Sequence, residues 1–132
     1  MKRKKKNRDN KSRYHRLGTM DLYGALLRLM VQERLFLNKK CSRERLAREL
    51  MTNRTYVSRA INARGMSFSQ FINSFRAEYA ISLLARHDLA GVPLDDIAEM
   101  SGFSTADQMN RYVKKSAGMT ACALRKRFST EG

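Results

Sequence analysis

The chain has 132 residues with 27 Lys and Arg against 12 Asp and Glu, a net charge of +15 that points to polyanions, nucleic acid first and an anionic membrane surface second. That length suits one compact domain or two small adjoining cores. No apolar run is long enough to span a bilayer, and no apolar region follows the basic N-terminus as a secretory signal requires. Cys41 and Cys122 are too few and too far apart for a disulfide framework or a zinc site, so a reduced cytoplasmic setting is expected, with both side chains buried or half-buried.

Residues 1–18 have no apolar periodicity, and residues 1–16 hold nine Lys or Arg against the single Asp9. A basic, disordered tail or linker is expected, either solubilising or a phosphate-binding arm. From Met20 the pattern changes: Leu22, Ala25, Leu26, Leu29 and Met30 lead through Phe36 on one stripe of an amphipathic helix. Thr19 is placed to cap it, and Asn38-Lys39-Lys40 to end it.

Ser42 then opens a short helix with Leu46, Ala47 and Leu50 inward; a turn follows at Met51-Thr52, and Asn53 caps a second helix carrying Tyr56, Val57, Ala60 and Ile61 inward. Two short helices joined by a tight turn make a helix-turn-helix. Ala47 suits the close crossing. The opposite face of the second helix presents Arg54, Thr55, Ser58, Arg59 and Asn62 with no acid among them, the composition of a face that reads a major groove.

A long helix over 67–86 is expected next, with Ser67 and Gln70 as a capping box and Phe68, Phe71, Ile72, Phe75, Tyr79, Ala80, Leu83 and Leu84 on a continuous stripe. After a linker containing Gly91 and Pro93, the plan repeats. Leu94–Met100 is a short helix with Ile97 and Ala98 inward, Ser101-Gly102-Phe103 a turn, and Ser104 with Asp107 a capping pair for a helix to about Lys115. Met109, Tyr112 and Val113 face inward; Ala106, Asp107, Asn110, Arg111 and Lys114 face outward. A last helix runs from Ala121 to Phe128, begun by Thr120.

Leu46-Ala47 matches Ile97-Ala98, Ser58-Arg59 matches Asn110-Arg111, and Gly65-Met66-Ser67 matches Gly118-Met119-Thr120, so one unit occurs twice at a spacing of 51 to 53 residues. An isolated Arg59 or Arg111 is ordinarily a solvated charge; their equivalent places in two copies give them weight. Asn53 and Ser104 are helix caps first, with phosphate contact additional, and Lys114 and Lys115 are further phosphate-binding candidates. His15 and His87 have no companion at ligand spacing. The residues hold no catalytic or metal constellation, and no enzyme, cofactor or small-molecule substrate is expected.

The ordered set Leu46-Ala47, Tyr56-Val57-Ser58-Arg59, Gly65-x-Ser67-Phe68, Phe71-Ile72, Arg76, Ala80, Leu83-Leu84, Ile97-Ala98-x-x-x-Gly102-Phe103-Ser104, Arg111, Lys114-Lys115, Gly118-x-Thr120 and Arg125 resembles the DNA-binding domain of AraC/XylS transcription regulators over residues 22–128. The resemblance implies an all-α, seven-helix fold of two helix-turn-helix subdomains joined by a long central helix, with both recognition helices entering successive major grooves on one face of the DNA. It implies Thr55, Ser58 and Arg59 as base readers of the first helix, and Ala106, Asp107, Asn110 and Arg111 of the second. Three departures stand out: one residue fewer between Asn62 and Gly65, Gln108-Met109 where the family often has Tyr-Phe, and Ala121 where Pro usually follows Thr120. A fourth, Asp107, puts a carboxylate on the groove face, where phosphates repel it unless it accepts from a cytosine amino group.

The expected organisation is therefore a tail at 1–18, a first helix-turn-helix subdomain at 19–66, a linker helix at 67–86 and a second subdomain at 87–132. The expected function is sequence-specific binding of double-stranded DNA in transcription activation in the cytoplasm, with RNA polymerase as a further partner. An effector domain is absent from this sequence, so the chain reads either as the output domain of a longer sensor-regulator, with the tail as the former linker, which is the preferred reading, or as a short stand-alone regulator. Two alternatives stand beside it: a nonspecific nucleic-acid or architectural binder, and a protein-interaction module that keeps the fold.

Overall fold

The computed structural model describes residues 21–131, all helices and connections among them. The basic tail, the Thr19 cap and His15 lie outside the described residues. Seven helices occur among those described: α1 (residues 21–33), α2 (Arg43–Glu49), α3 (Arg54–Asn62), α4 (Phe68–Leu84), α5 (Leu94–Met100), α6 (Ala106–Ala117) and α7 (Ala121–Glu131). They divide into two compact units, one ending at Leu35 and resuming over Lys40–Phe71, the other made of Phe36–Lys39 and the chain from Ile72 onward.

In the first unit, Leu22, Leu26 and Met30 of α1 are almost fully buried, as are Leu46, Ala47, Val57, Ala60 and Ile61 of the helix-turn-helix and Phe71 of α4. Tyr23 meets Phe71 edge-on at 5.8 Å between ring centroids, and the Arg64 guanidinium lies 4.5 Å over the Tyr23 ring. α1 stops earlier than its apolar pattern suggests. Its last turn widens to a π-turn at Leu29–Glu33, and Arg34 takes the left-handed conformation with φ 52°, so the helix ends before Phe36 instead of at Asn38. The reason lies in the second unit. Phe36, in a 3-10 turn at Leu35–Leu37, is 5% exposed and belongs to that unit, where it stacks on Phe75 at 5.9 Å.

The second unit has its own core: Ala77, Ala80, Leu83 and Leu84 of α4 pack with Ile97, Ala98, Phe103, Met109, Val113, Ala121 and Leu124. Tyr112 stacks on Phe103 at 6.1 Å. The α4 stripe is broader than expected, because Asn73, Arg76 and Ala77 are buried beside Ile72, Ala80, Leu83 and Leu84, while Phe68, Phe75 and Tyr79 are half-buried. Arg76 explains how a charge is tolerated there. Its Nε donates to the Phe36 carbonyl at 2.6 Å, Nη2 to the Asn38 carbonyl at 2.9 Å and Nη1 to Asn73 Oδ1 at 3.2 Å, so most of its donors are satisfied and the Phe36–Lys39 segment is held to α4. The start of α4 is the expected capping box: Ser67 Oγ accepts from Gln70 N, and Gln70 Oε1 accepts from Ser67 N at 2.9 Å.

Arg125 of α7 secures the linker in the same manner, donating from Nη1 to the carbonyls of Ala90 at 2.8 Å and Val92 at 2.7 Å. Four carbonyls and a side-chain amide thus take up two arginines that the sequence pattern marked only as landmarks.

Candidate nucleic-acid interface

Each helix-turn-helix is built from its caps outward. In the first, Ser42 Oγ accepts from Arg45 N at 3.1 Å to start α2, and Asn53 Oδ1 accepts from Tyr56 N at 3.1 Å to start α3. The turn closes through Thr52 N donating to the Ala47 carbonyl at 2.9 Å, with Met51 left-handed at φ 55°. Because α3 buries Val57, Ala60 and Ile61, helical periodicity sends Arg54, Thr55, Arg59 and Asn62 outward, and all four are exposed; Ser58 is half-buried.

Two contacts across the motif modify that face. Arg54 Nη1 donates to Glu44 Oε1 of α2 at 3.0 Å, and this hydrogen bond holds the Glu44 carboxyl below its ordinary value. Arg43 Nη1 donates to Ser58 Oγ at 3.2 Å. The acid beside the reading helix was invisible in the local pattern, since it comes from the neighbouring helix ten residues earlier. Arg59 lies over the Tyr56 ring at 5.8 Å, which restricts where its guanidinium points.

The second motif repeats the backbone with different side chains. Phe103 N donates to the Ala98 carbonyl at 2.9 Å, and Gly102 is left-handed at φ 89°. The cap is one residue later than expected: Thr105, not Ser104, takes the extended conformation and accepts from Gln108 N at 3.1 Å, while Gln108 Oε1 accepts from Ser104 N at 3.0 Å. Ser104 therefore lies outside the helix, and Asp107 is not its capping partner. The pairing Thr105-x-x-Gln108 takes up the Gln108 N–H of the first turn and the preceding Ser104 N–H without a carboxylate, leaving Asp107 exposed.

On α6, Asp107, Arg111, Lys114 and Lys115 are exposed, and Ala106 and Asn110 are half-buried. Arg111, Lys114 and Lys115 line one shallow basic recess with Tyr112. Asn110 is the exception among the expected readers, since its Oδ1 accepts from Ala121 N, the first N–H of α7, at 2.9 Å, beside the cap that Thr120 Oγ1 makes with Ala123 N at 3.3 Å. The contact also accounts for Ala121, because a proline there would have no N–H to give. Cys122 is exposed, against the expectation of burial, and Cys41 is buried. Among the described residues no group of His, Cys, Asp and Glu could hold a metal ion, and no helix is long and apolar enough to cross a membrane.

Comparison with known proteins agrees with this architecture. A helix-turn-helix domain family model matches residues 46–127. The chain is 33% identical over 66 residues to the TCP pilus virulence regulatory protein of Vibrio cholerae serotype O1, covering 50% of this chain and 23% of that protein's length. It is similar to the C-terminal domain of AraT, a response regulator from Geobacillus stearothermophilus, with 27% identity and a TM-score of 0.59 over 71% of this chain and 76% of that one. The fold is also that of the DNA-binding domain of AdpA, a global transcriptional factor solved with a target DNA, at 18% identity and a TM-score of 0.66 over 83% of this chain and 94% of that one. With the family match spanning more than half its length and both helix-turn-helix motifs, the chain belongs to the AraC-type helix-turn-helix family.

Proposed function

We propose that this chain binds double-stranded DNA sequence-specifically and controls transcription, with α3 and α6 each reading a major groove. The observation that carries the reading is the matched pair Arg59 and Arg111: both are exposed, at the same register of two capped helices whose opposite faces are buried. Arginine at that register can bond a guanine edge bidentately. Arg54, Thr55 and Asn62 flank Arg59, and Lys114 and Lys115 flank Arg111 as phosphate contacts. The exposed Asn53 and Ser104 side chains, beside the starts of α3 and α6, are further phosphate contacts. The AraC-type membership and the likeness to a domain solved on its target DNA support the same reading.

Selection from a random duplex pool, followed by titration of the winner against unrelated competitors, tests it. The expected preference is about a thousandfold or more. Arg59→Ala is expected to lose about 1–3 kcal/mol on the selected duplex and to relax the preference at one position. Equal affinity for all duplexes would remove the proposal, and an equal loss on every duplex would make Arg59 a phosphate contact. The nonspecific alternative draws on the basic tail; deleting residues 1–16 should weaken binding to all duplexes and flatten its salt dependence without changing the consensus.

A further inference from the structure

Among the described residues, the ion pair between Arg54 and Glu44 is the one that joins a reading helix to the helix supporting it. We propose that Glu44 is a specificity-determining residue, a positioning partner that fixes the Arg54 guanidinium for base reading and masks its charge from phosphates. The inference rests on the DNA-binding reading above.

Arg54 is the first residue of α3, directly after the Asn53 cap. A cation in that first turn is unfavourable beside the positive end of the helix dipole, so a carboxylate that reaches it offsets a local repulsion. Glu44 is well placed for this, in the first turn of α2 where a negative charge is itself favourable. A single hydrogen bond, Nη1 to Oε1, engages one of the five guanidinium donors, and the remainder of the planar fork stays available to a base edge. Orienting a long side chain before binding removes an entropic cost that is recovered only where the matching base is present. Arg43, next to Glu44, holds Ser58 on the same helix, so α2 braces the reading face at two points.

The effect on a mismatched duplex is opposite. Nonspecific affinity follows the number of cations free to displace counterions, and the pair subtracts about one from that number at this end of the motif. Positions matched to Glu44 and Arg54 in the second motif are Asp95 and Ala106: the acid is kept, and the arginine is not. The device therefore belongs to the first motif alone.

Glu44→Gln and Glu44→Asp, each checked for native circular dichroism, are titrated against the selected duplex and a random competitor at several salt concentrations. Glu44→Gln is expected to raise competitor affinity roughly two- to fivefold, to steepen the competitor's salt slope by about one, and to lower the site-to-competitor ratio. Glu44→Asp keeps the charge but falls short of Arg54, and should lower the ratio without raising competitor affinity. In an Arg54→Gln background, Glu44→Gln should no longer change the ratio. An unchanged ratio in Glu44→Gln, or a change that persists without Arg54, overturns the proposal while the DNA-binding reading stands. A wild-type chain with no preferred duplex removes that reading and this one together.

Discussion

The two helix-turn-helix motifs share a backbone and differ in what surrounds it, which shows why equivalent positions demand different residues. Met51 and Gly102 occupy the same left-handed turn position, at φ 55° and φ 89°. In the first motif a methionine accepts the strained conformation. In the second, a Cβ on Gly102 would fall 2.5 Å from the Phe36 carbonyl oxygen and 3.0 Å from Arg76 Nε, because the Phe36–Lys39 segment held by Arg76 passes directly over the turn. Glycine there is required by a neighbouring chain more than by the turn itself. The next position differs in the same spirit: Phe103 is fully buried in its core, whereas Thr52 has a buried hydroxyl with no partner among the described residues.

The sharpest break of this comparison is Gly102→Ala, expected to cost about 3 kcal/mol through combined strain and overpacking, against a change within about 1 kcal/mol for Met51→Gly, both read by urea denaturation. Similar costs for the two would mean that the Phe36 carbonyl yields. On the DNA side, Arg111→Ala should lose less on the selected duplex than the roughly 1–3 kcal/mol expected of Arg59→Ala, because Asp107 shares its helix face and repels phosphates. Equal losses would make the two reading helices equal partners.

A third contrast lies at Ser58 and Asn110. Asn110→Ala leaves the buried Ala121 N–H without its acceptor, while Thr120 still caps α7, and should cost about 1 kcal/mol of stability while leaving base preference intact; Ser58→Ala should change stability by no more than about 0.5 kcal/mol. A shifted consensus for Asn110→Ala in the selection experiment would return Asn110 to the readers. Thr52→Val should be neutral or stabilise by up to about 1 kcal/mol, since it removes a buried unsatisfied hydroxyl, and a clear loss would show that the hydroxyl has a partner.

The smallest effect is acid sensitivity of the Glu44–Arg54 pair. A carboxyl lowered in the folded state by its arginine contributes stability that is present above the ordinary glutamate value and fades as pH falls through the lowered one. The difference in acid midpoint between the wild type and Glu44→Gln should therefore appear only in the carboxylate range and shrink with added salt.

Much of this was legible along the chain. The caps Ser42 and Asn53, the Ser67–Gln70 box and the inward residues of α2, α3, α5 and α6 are local patterns, each legible within a few turns of chain, and the repeat is read by setting two stretches 51 to 53 residues apart side by side. What failed was equally systematic. The shift of the cap from Ser104 to Thr105 is local, set by Gln108 bonding to both, whereas the premature end of α1, the Glu44 contact to Arg54 and the use of Asn110 on α7 depend on which segments meet.

Helical periodicity and capping were thus determined by sequence alone, because hydrogen bonds between neighbours in the chain enforce them, and the duplication because it is a likeness between residues. Tertiary structure decided which polar side chains on the outward faces remained available. Arg54 and Asn110 bond to groups ten and eleven residues away, and Arg76 to carbonyls about forty residues away, so only packing brings those partners within reach.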